Sequence, residues 1–183
     1  MEERKGTWIW GGCILLVVAG LVFAKFREGK KSWTRDAVAA SGGGELVIGV
    51  AGPMDGDQGK MGQDILHGAQ MAVAEWNGRV GVLGWTIRIL EGNDQHDPKQ
   101  AVLVANKFVN SGVAGVVGHF NSDCSIPASN IYLDAGIPQV TPASTNPQFT
   151  DRGLPNVFRV CGRDDQQGKV AADFVVDVLR ATR

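Results

Sequence analysis

An α/β fold with a doubly wound parallel sheet is predicted for this chain by three observations. From Glu45 onward, short β-branched runs alternate four times with amphipathic helical stretches, and that order favours a parallel sheet with right-handed crossovers. The turns that follow the runs are rich in glycine, serine and threonine, as loops at the carboxyl edge of such a sheet are where the backbone must bend sharply. The composition, 44% hydrophobic and 20% charged in 183 residues, is that of an ordinary globular chain with enough apolar material for one core.

Taken in order, "ELVIGVAG" is a strand stopped by Gly52 and Pro53, and a glycine-rich loop follows it. The next segment places Ile65, Ala69, Ala72, Val73 and Trp76 on one helical face. "GWTIRILEGND" supplies the second strand. Asp97-Pro98-Lys99-Gln100 then opens a helix, with aspartate at the cap, proline at the first helical position and glutamine three residues after the cap. Ala101, Ala105, Phe108 and Val109 form its buried face. Val113 to Val117 is the third strand, Pro127 to Ala135 a short helix, and Ile137 to Val140 the fourth strand.

Open parallel sheets bind ligands outside the carboxyl ends of their strands. The loops at that edge are Gly52–Gly62, Gly92–Asp97, His119–Ser125 and Thr141–Pro147. Ser122 and Ser125 on one loop and Thr141, Ser144 and Thr145 on its neighbour are expected to face a single crevice. Hydroxyls together with free N–H groups at a helix start suit an anion such as a carboxylate, although a lone serine before a helix is more often simply a cap.

Before this region, Gly6 to Ala24 is an uncharged apolar run flanked by Arg4–Lys5 and by Lys25, Arg27, Lys30 and Lys31. Its length and lack of a polar face predict a transmembrane helix or an export signal. More basic residues follow the run than precede it, which by the positive-inside rule would hold the rest of the chain in the cytoplasm. Residues 27–44, ending in "ASGGG", read as a linker.

Several function classes are disfavoured. The net charge of −1 gives no basic field for nucleic acid. Cys13, Cys124 and Cys161 show no metal-binding spacing, nor do His67, His96 and His119, so neither a metal nor a cofactor is expected. With Cys13 inside the apolar run, the only pair left for a disulfide is Cys124 with Cys161. A hydrolase would need a base for a nucleophile, yet no G-x-S-x-G elbow is present and His119, three residues before Ser122, reads as a strand-end residue that fixes its loop. The turn "GPMDGDQGKMG" lacks the G-x-G-x-x-G order of dinucleotide sites, with Glu91 the nearest acid on the second strand.

The runs "DPKQAVLVANKFVNSGVAGVVGH", "IPASNIY", "TPASTNPQFTDRG" and "FRVCGRDDQQGKVAADF" resemble the branched-chain amino acid (Leu/Ile/Val) binding proteins of ABC transporters, of the periplasmic binding protein type I fold. The resemblance runs from Leu46 to about Val178 in unbroken order. It implies two α/β lobes that close on a ligand about a hinge, with residues 45–158 as lobe 1 and 159–183 as the start of an incomplete second lobe, after an anchor or signal at 1–26. It also implies that Ser122 and Thr145 hold the ligand's α-carboxylate, that the Ala143 carbonyl accepts from its ammonium, and that Met61 lines the side-chain pocket. Family members often join two loops by a disulfide at the positions of His96 and Asn121, where this chain has no cysteine.

What the resemblance implies, then, is a binding component and not an enzyme. It would capture branched-chain or related amino acids at the periplasmic or extracellular face of the bacterial cytoplasmic membrane and deliver them to ABC permease subunits, with a separate chain as one source of its second lobe. A membrane-tethered amino-acid sensor and an inactive truncated fragment are the alternatives left open at this point.

Overall fold

The computed structural model describes residues 43–181. The apolar run Gly6–Ala24 and most of the linker therefore lie outside the described residues. Among the described residues no helix is long and apolar enough to cross a membrane.

Five strands form one sheet: β1 (Glu45–Gly52), β2 (Thr86–Asn93), β3 (Gly115–Val117), β4 (Gln139–Thr141) and β5 (Val157–Arg159). Every pairing is parallel, in the order β2-β1-β3-β4-β5. The helices between them are α1 (Gly59–Asn77), α2 (Pro98–Asn110), α3 (Ser122–Asp134) and the single turn α4 (Gln148–Asp151). After β5 the chain continues into α5 (Asp164–Asp173) and a π-helical turn, Phe174–Val178. The doubly wound parallel sheet expected from the sequence is thus present, and a fifth strand and α4 extend it.

Strand periodicity sorts the core into two layers. On one face, Ile48 and Val50 of β1, Ile87, Val117 and Val140 pack with Leu66 of α1, flanked by Ile65, Ala69, Val73 and Trp76. On the other, Ala51 and Val116 pack with Val104, Ala105 and Phe108 of α2 and with Ala128 and Tyr132 of α3. Phe108 is fully buried, which is worth roughly 2–3 kcal/mol in water-excluded area. Its ring occupies the space that a Cβ at Gly49 would enter, at 2.6 Å, so β1 needs glycine there to let α2 approach.

The aspartate cap and the N1 proline read for α2 are present: Asp97 has extended dihedrals and accepts from the Lys99 N–H at 2.8 Å, with Pro98 at the first helical position. Helix α3 differs from expectation. It begins at Ser122 instead of Pro127, because Asn121 is the extended cap residue (φ −79, ψ 140) and Pro127 lies inside the helix. A proline there removes the N–H that would bond the Asp123 carbonyl four residues back, and its ring crowds that carbonyl, so α3 carries this local cost in its second turn. Cys124 and Cys161, the only pair the sequence left for a disulfide, are both free.

The direction of chain travel reverses between β1 and β3, since β2 lies on one side of β1 and the later strands on the other. The carboxyl ends of β1 and β3 are therefore the switch point at which α/β sheets open a crevice. An Asn121 Nδ2 donor reaches Gln58 Oε1 at 2.9 Å and joins the two loops that flank it.

Candidate functional site

The loop after β3 is built around His119. Gly118, with φ +133, brings its Cα so close to β1 that a Cβ would lie 2.2 Å from the Ala51 carbonyl oxygen, so only glycine fits. The His119 ring is fully buried and both its nitrogens are occupied: Nδ1 lies 2.6 Å from Asp94 Oδ2, and Nε2 3.2 Å from the Tyr132 hydroxyl. This fits the reading of His119 as a loop-fixing residue. It also leaves no imidazole nitrogen to serve Ser122 as a base.

The two loops that the resemblance would join by a disulfide are joined here by other means. Asp94 belongs to the loop after β2, so its bond to His119 spans the same gap, and His96 Nε2 stands 3.8 Å from Asp123 Oδ2 on the surface above it. Burial pushes the Tyr132 phenol well above its ordinary range, with Asp94 adding to the shift, so the hydroxyl stays protonated and available as a donor. Burial likewise raises the Cys124 thiol, with Asp94 and Asp123 contributing, which makes it an inert packing group and no nucleophile.

The hydroxyl-rich sequence divides into two sets. Ser125, Thr141 and Ser144 were expected to face the crevice and do not: all three are buried and spent inside the fold. Their hydroxyls converge on the His119 carbonyl at 3.2, 2.9 and 3.3 Å, and Ser125 and Ser144 share a hydrogen bond of 2.7 Å. Buried hydroxyls must find such partners, and here they staple the β3–α3 loop to the β4–α4 loop. The Thr141 hydroxyl also accepts from the Ser144 N–H at 2.9 Å, closing the turn that begins the second loop.

Ser122 and Thr145 form the other set and are only partly buried. Ser122 is the first residue of α3, and its oxygen accepts from the Asn146 N–H at 3.2 Å, which places it against the loop that carries Thr145. Its own O–H is left to donate outward. The Thr145 hydroxyl bonds to no described residue.

Backbone carbonyls around Thr145 are almost all committed. Arg159, at the end of β5, donates to the Ser144 carbonyl and to the Asn146 carbonyl, each at 2.8 Å, and the Asp164 N–H donates to the Thr145 carbonyl at 3.0 Å. The Ala143 carbonyl has no donor among the described residues. Two hydroxyl donors and one open acceptor are thus presented along one stretch of the carboxyl edge. A zwitterion, which must exchange water for fixed partners at both charges, is the kind of ligand that needs such a set.

Met61, in the first turn of α1, is 48% exposed at the same edge. The loop that leads into α1 is tied to that of Ser122 through the Gln58–Asn121 bond. Among the described residues, no three metal-ligating side chains come together.

Sequence reasoning missed Asp94, Tyr132 and Arg159. The available signals were an acid just beyond a strand and an arginine ending the apolar run "NVF". A charge at the carboxyl end of a strand in this fold lies beside the ligand loops.

Residues 45–183 match the family model described as periplasmic binding protein. An amino acid binding protein of Pseudomonas aeruginosa is 49% identical over 140 residues, which are 76% of this chain and 37% of that one. The Leu/Ile/Val-binding protein homolog 1 of Brucella abortus is 46% identical over 144 residues, 77% of this chain and 39% of that one. Among solved structures, the branched-chain amino acid transporter substrate binding protein of Streptococcus pneumoniae in complex with isoleucine superposes with a TM-score of 0.71 at 28% identity, over 75% of this chain and 39% of that one. The chain spans about two fifths of the length of the curated relatives named here.

Proposed function

This chain belongs to the periplasmic binding protein family, and from that premise we propose that it is an extracytoplasmic solute-binding component of an ABC transporter, taking branched-chain or related amino acids without catalysing any reaction. The ligand's α-carboxylate accepts from the Ser122 and Thr145 hydroxyls and its ammonium donates to the Ala143 carbonyl. Met61 lies along the aliphatic side chain. Residues 45–158 are the lobe that makes these contacts, and residues from 159 onward begin a second lobe. The protein works at the outer face of the cytoplasmic membrane, where permease subunits receive the ligand.

One observation carries the reading. Of the hydroxyls in the two loops, the buried three are consumed in stapling the loops together, while the Ser122 oxygen meets the loop of Thr145 at the Asn146 N–H and both hydroxyls keep their protons free to donate. Neutral donors on a rigid frame suit capture followed by release, since a hydrogen bond to a charged group contributes about 1.5–3 kcal/mol, well short of an irreversible grip. The names of the relatives, which include Leu/Ile/Val-binding proteins, support the ligand class. The resemblance read from "TPASTNP" and the neighbouring runs supports the assignment of individual residues.

Titration of L-leucine into the chain by calorimetry tests this. Ser122→Ala and Thr145→Val should each weaken binding by about 10- to 100-fold, the equivalent of one charge-assisted hydrogen bond, with circular dichroism unchanged. Wild-type affinity in both variants, or no leucine binding by the wild-type chain, would contradict the proposal.

A further inference from the structure

Arg159 is a cation with no anion. Arg79, Arg88 and Arg163 each pair with a carboxylate. Arg152, like Arg159, has neutral partners only, but these are Ser129, Asn130 and the carbonyls of Ile126, Gln148 and Phe149 and not the loop that carries Thr145. Arg159 is half-buried and its partners are all neutral: the Ser144 carbonyl at 2.8 Å, the Asn146 carbonyl at 2.8 Å and the Thr150 hydroxyl at 3.1 Å. The guanidinium carbon lies 5.8 Å from the centroid of the Phe149 ring, a cation–π distance, and its Nε is buried without an acceptor. Withdrawing a cation from water without a counter-ion is costly, and a nearby anion offsets that cost.

The two carbonyls it grips are those on either side of Thr145. The third, that of Thr145 itself, is held by the Asp164 N–H, and the Cys161 thiol adds a 3.4 Å contact to the Ser144 carbonyl. Three consecutive peptide units are therefore pinned from the strand that leaves the sheet. With its carbonyls drawn back toward β5, the loop is held still around the Thr145 hydroxyl, and among the described residues the only positive charge gripping it is that of Arg159.

We propose that Arg159 is a positioning residue for carboxylate recognition. It fixes the loop that presents Thr145 and provides, from behind that loop, the positive charge that a receptor of neutral hydroxyls lacks. The ligand carboxylate is then the anion Arg159 is missing, met through the loop and not by direct contact. This inference rests on the amino-acid-binding function proposed above.

The test compares L-leucine with L-leucinamide, which keeps the ammonium and side chain but carries no carboxylate charge. In the full chain, Arg159→Gln should reduce the preference for leucine over leucinamide by about tenfold, and Arg159→Lys should restore part of it through charge alone. A purely structural arginine would weaken both ligands together and leave their ratio unchanged, and that result would overturn the inference while leaving the proposed function standing. Should the glutamine variant not fold, the wild-type Arg159 Nε–H resonance decides the matter. It should move on adding leucine and hold still with leucinamide, whereas no movement with saturating leucine overturns the inference. A wild-type chain that binds no leucine refutes the proposed function, and the role of Arg159 falls with it.

Discussion

Tyr132, His119 and Asp94 form a buried chain of hydrogen bonds that runs from α3 through the β3–α3 loop to the loop after β2. Each member has a partner, and that is what makes the burial of three polar groups tolerable. Tyr132→Phe keeps the ring and removes the hydroxyl, so His119 Nε2 is left buried without a partner. The expected cost is about 1–3 kcal/mol, read as a lower denaturation midpoint with an unchanged slope; an unchanged midpoint would show that the hydroxyl adds nothing to stability. At this scale the sequence was only partly legible. His119 could be read as a loop-fixing residue because it ends an apolar strand. The division of five hydroxyls into three buried and two outward could not, since serine and threonine look alike in sequence whether their partner is a carbonyl of the next loop or a ligand.

Among the elements, the first four strands and the first two helices were legible because apolar β-branched runs alternate with amphipathic periods and Asp97-Pro98 marks the start of α2. Helix α3 was misplaced at its start, since Pro127 mimics a first helical position and the polar run before it mimics a loop. The single turn α4 escaped notice because four residues give too short a period to detect, and strand β5 because it offers only Val157 and Phe158 before Arg159, with no longer apolar run around it. Helix α5 starts from a pair of charge-assisted contacts: Arg163 bonds both oxygens of Asp151 and of Asp165, at 2.6 and 3.1 Å and at 3.0 and 2.8 Å. The hydrogen bonds from Arg163, reinforced by the Gln166 N–H, hold the Asp165 carboxyl below its ordinary range. A carboxyl depressed in the folded state stabilises above its unfolded pKa and loses that contribution as pH falls through the folded value. Acidification should therefore loosen the first turn of α5 while the sheet stays intact, seen as selective loss of amide protection at residues 164–168. Equal protection across that titration would contradict the assignment.

For the molecule as a whole, the sheet sets the site and the chain's exit secures it. Loops from β3 and β4 are stapled through the His119 carbonyl, then gripped from β5 by Arg159, so the Ser122–Thr145 surface is held from two sides. Beyond β5, Val170, Phe174, Val176, Val178 and Leu179 are exposed, apolar side chains suited to the start of a second lobe, as proposed above. The fold class was legible at this scale because alternation of strand and helix survives any error at element ends. The proposed ligand surface was picked out by topology alone and assigned residue by residue only through the resemblance. The most direct measurement is a crystal structure of the chain grown with L-leucine. The account predicts the leucine carboxylate within hydrogen-bond distance of the Ser122 and Thr145 hydroxyls and its ammonium at the Ala143 carbonyl. Leucine bound at another face, or none at this edge under saturating ligand, would contradict it.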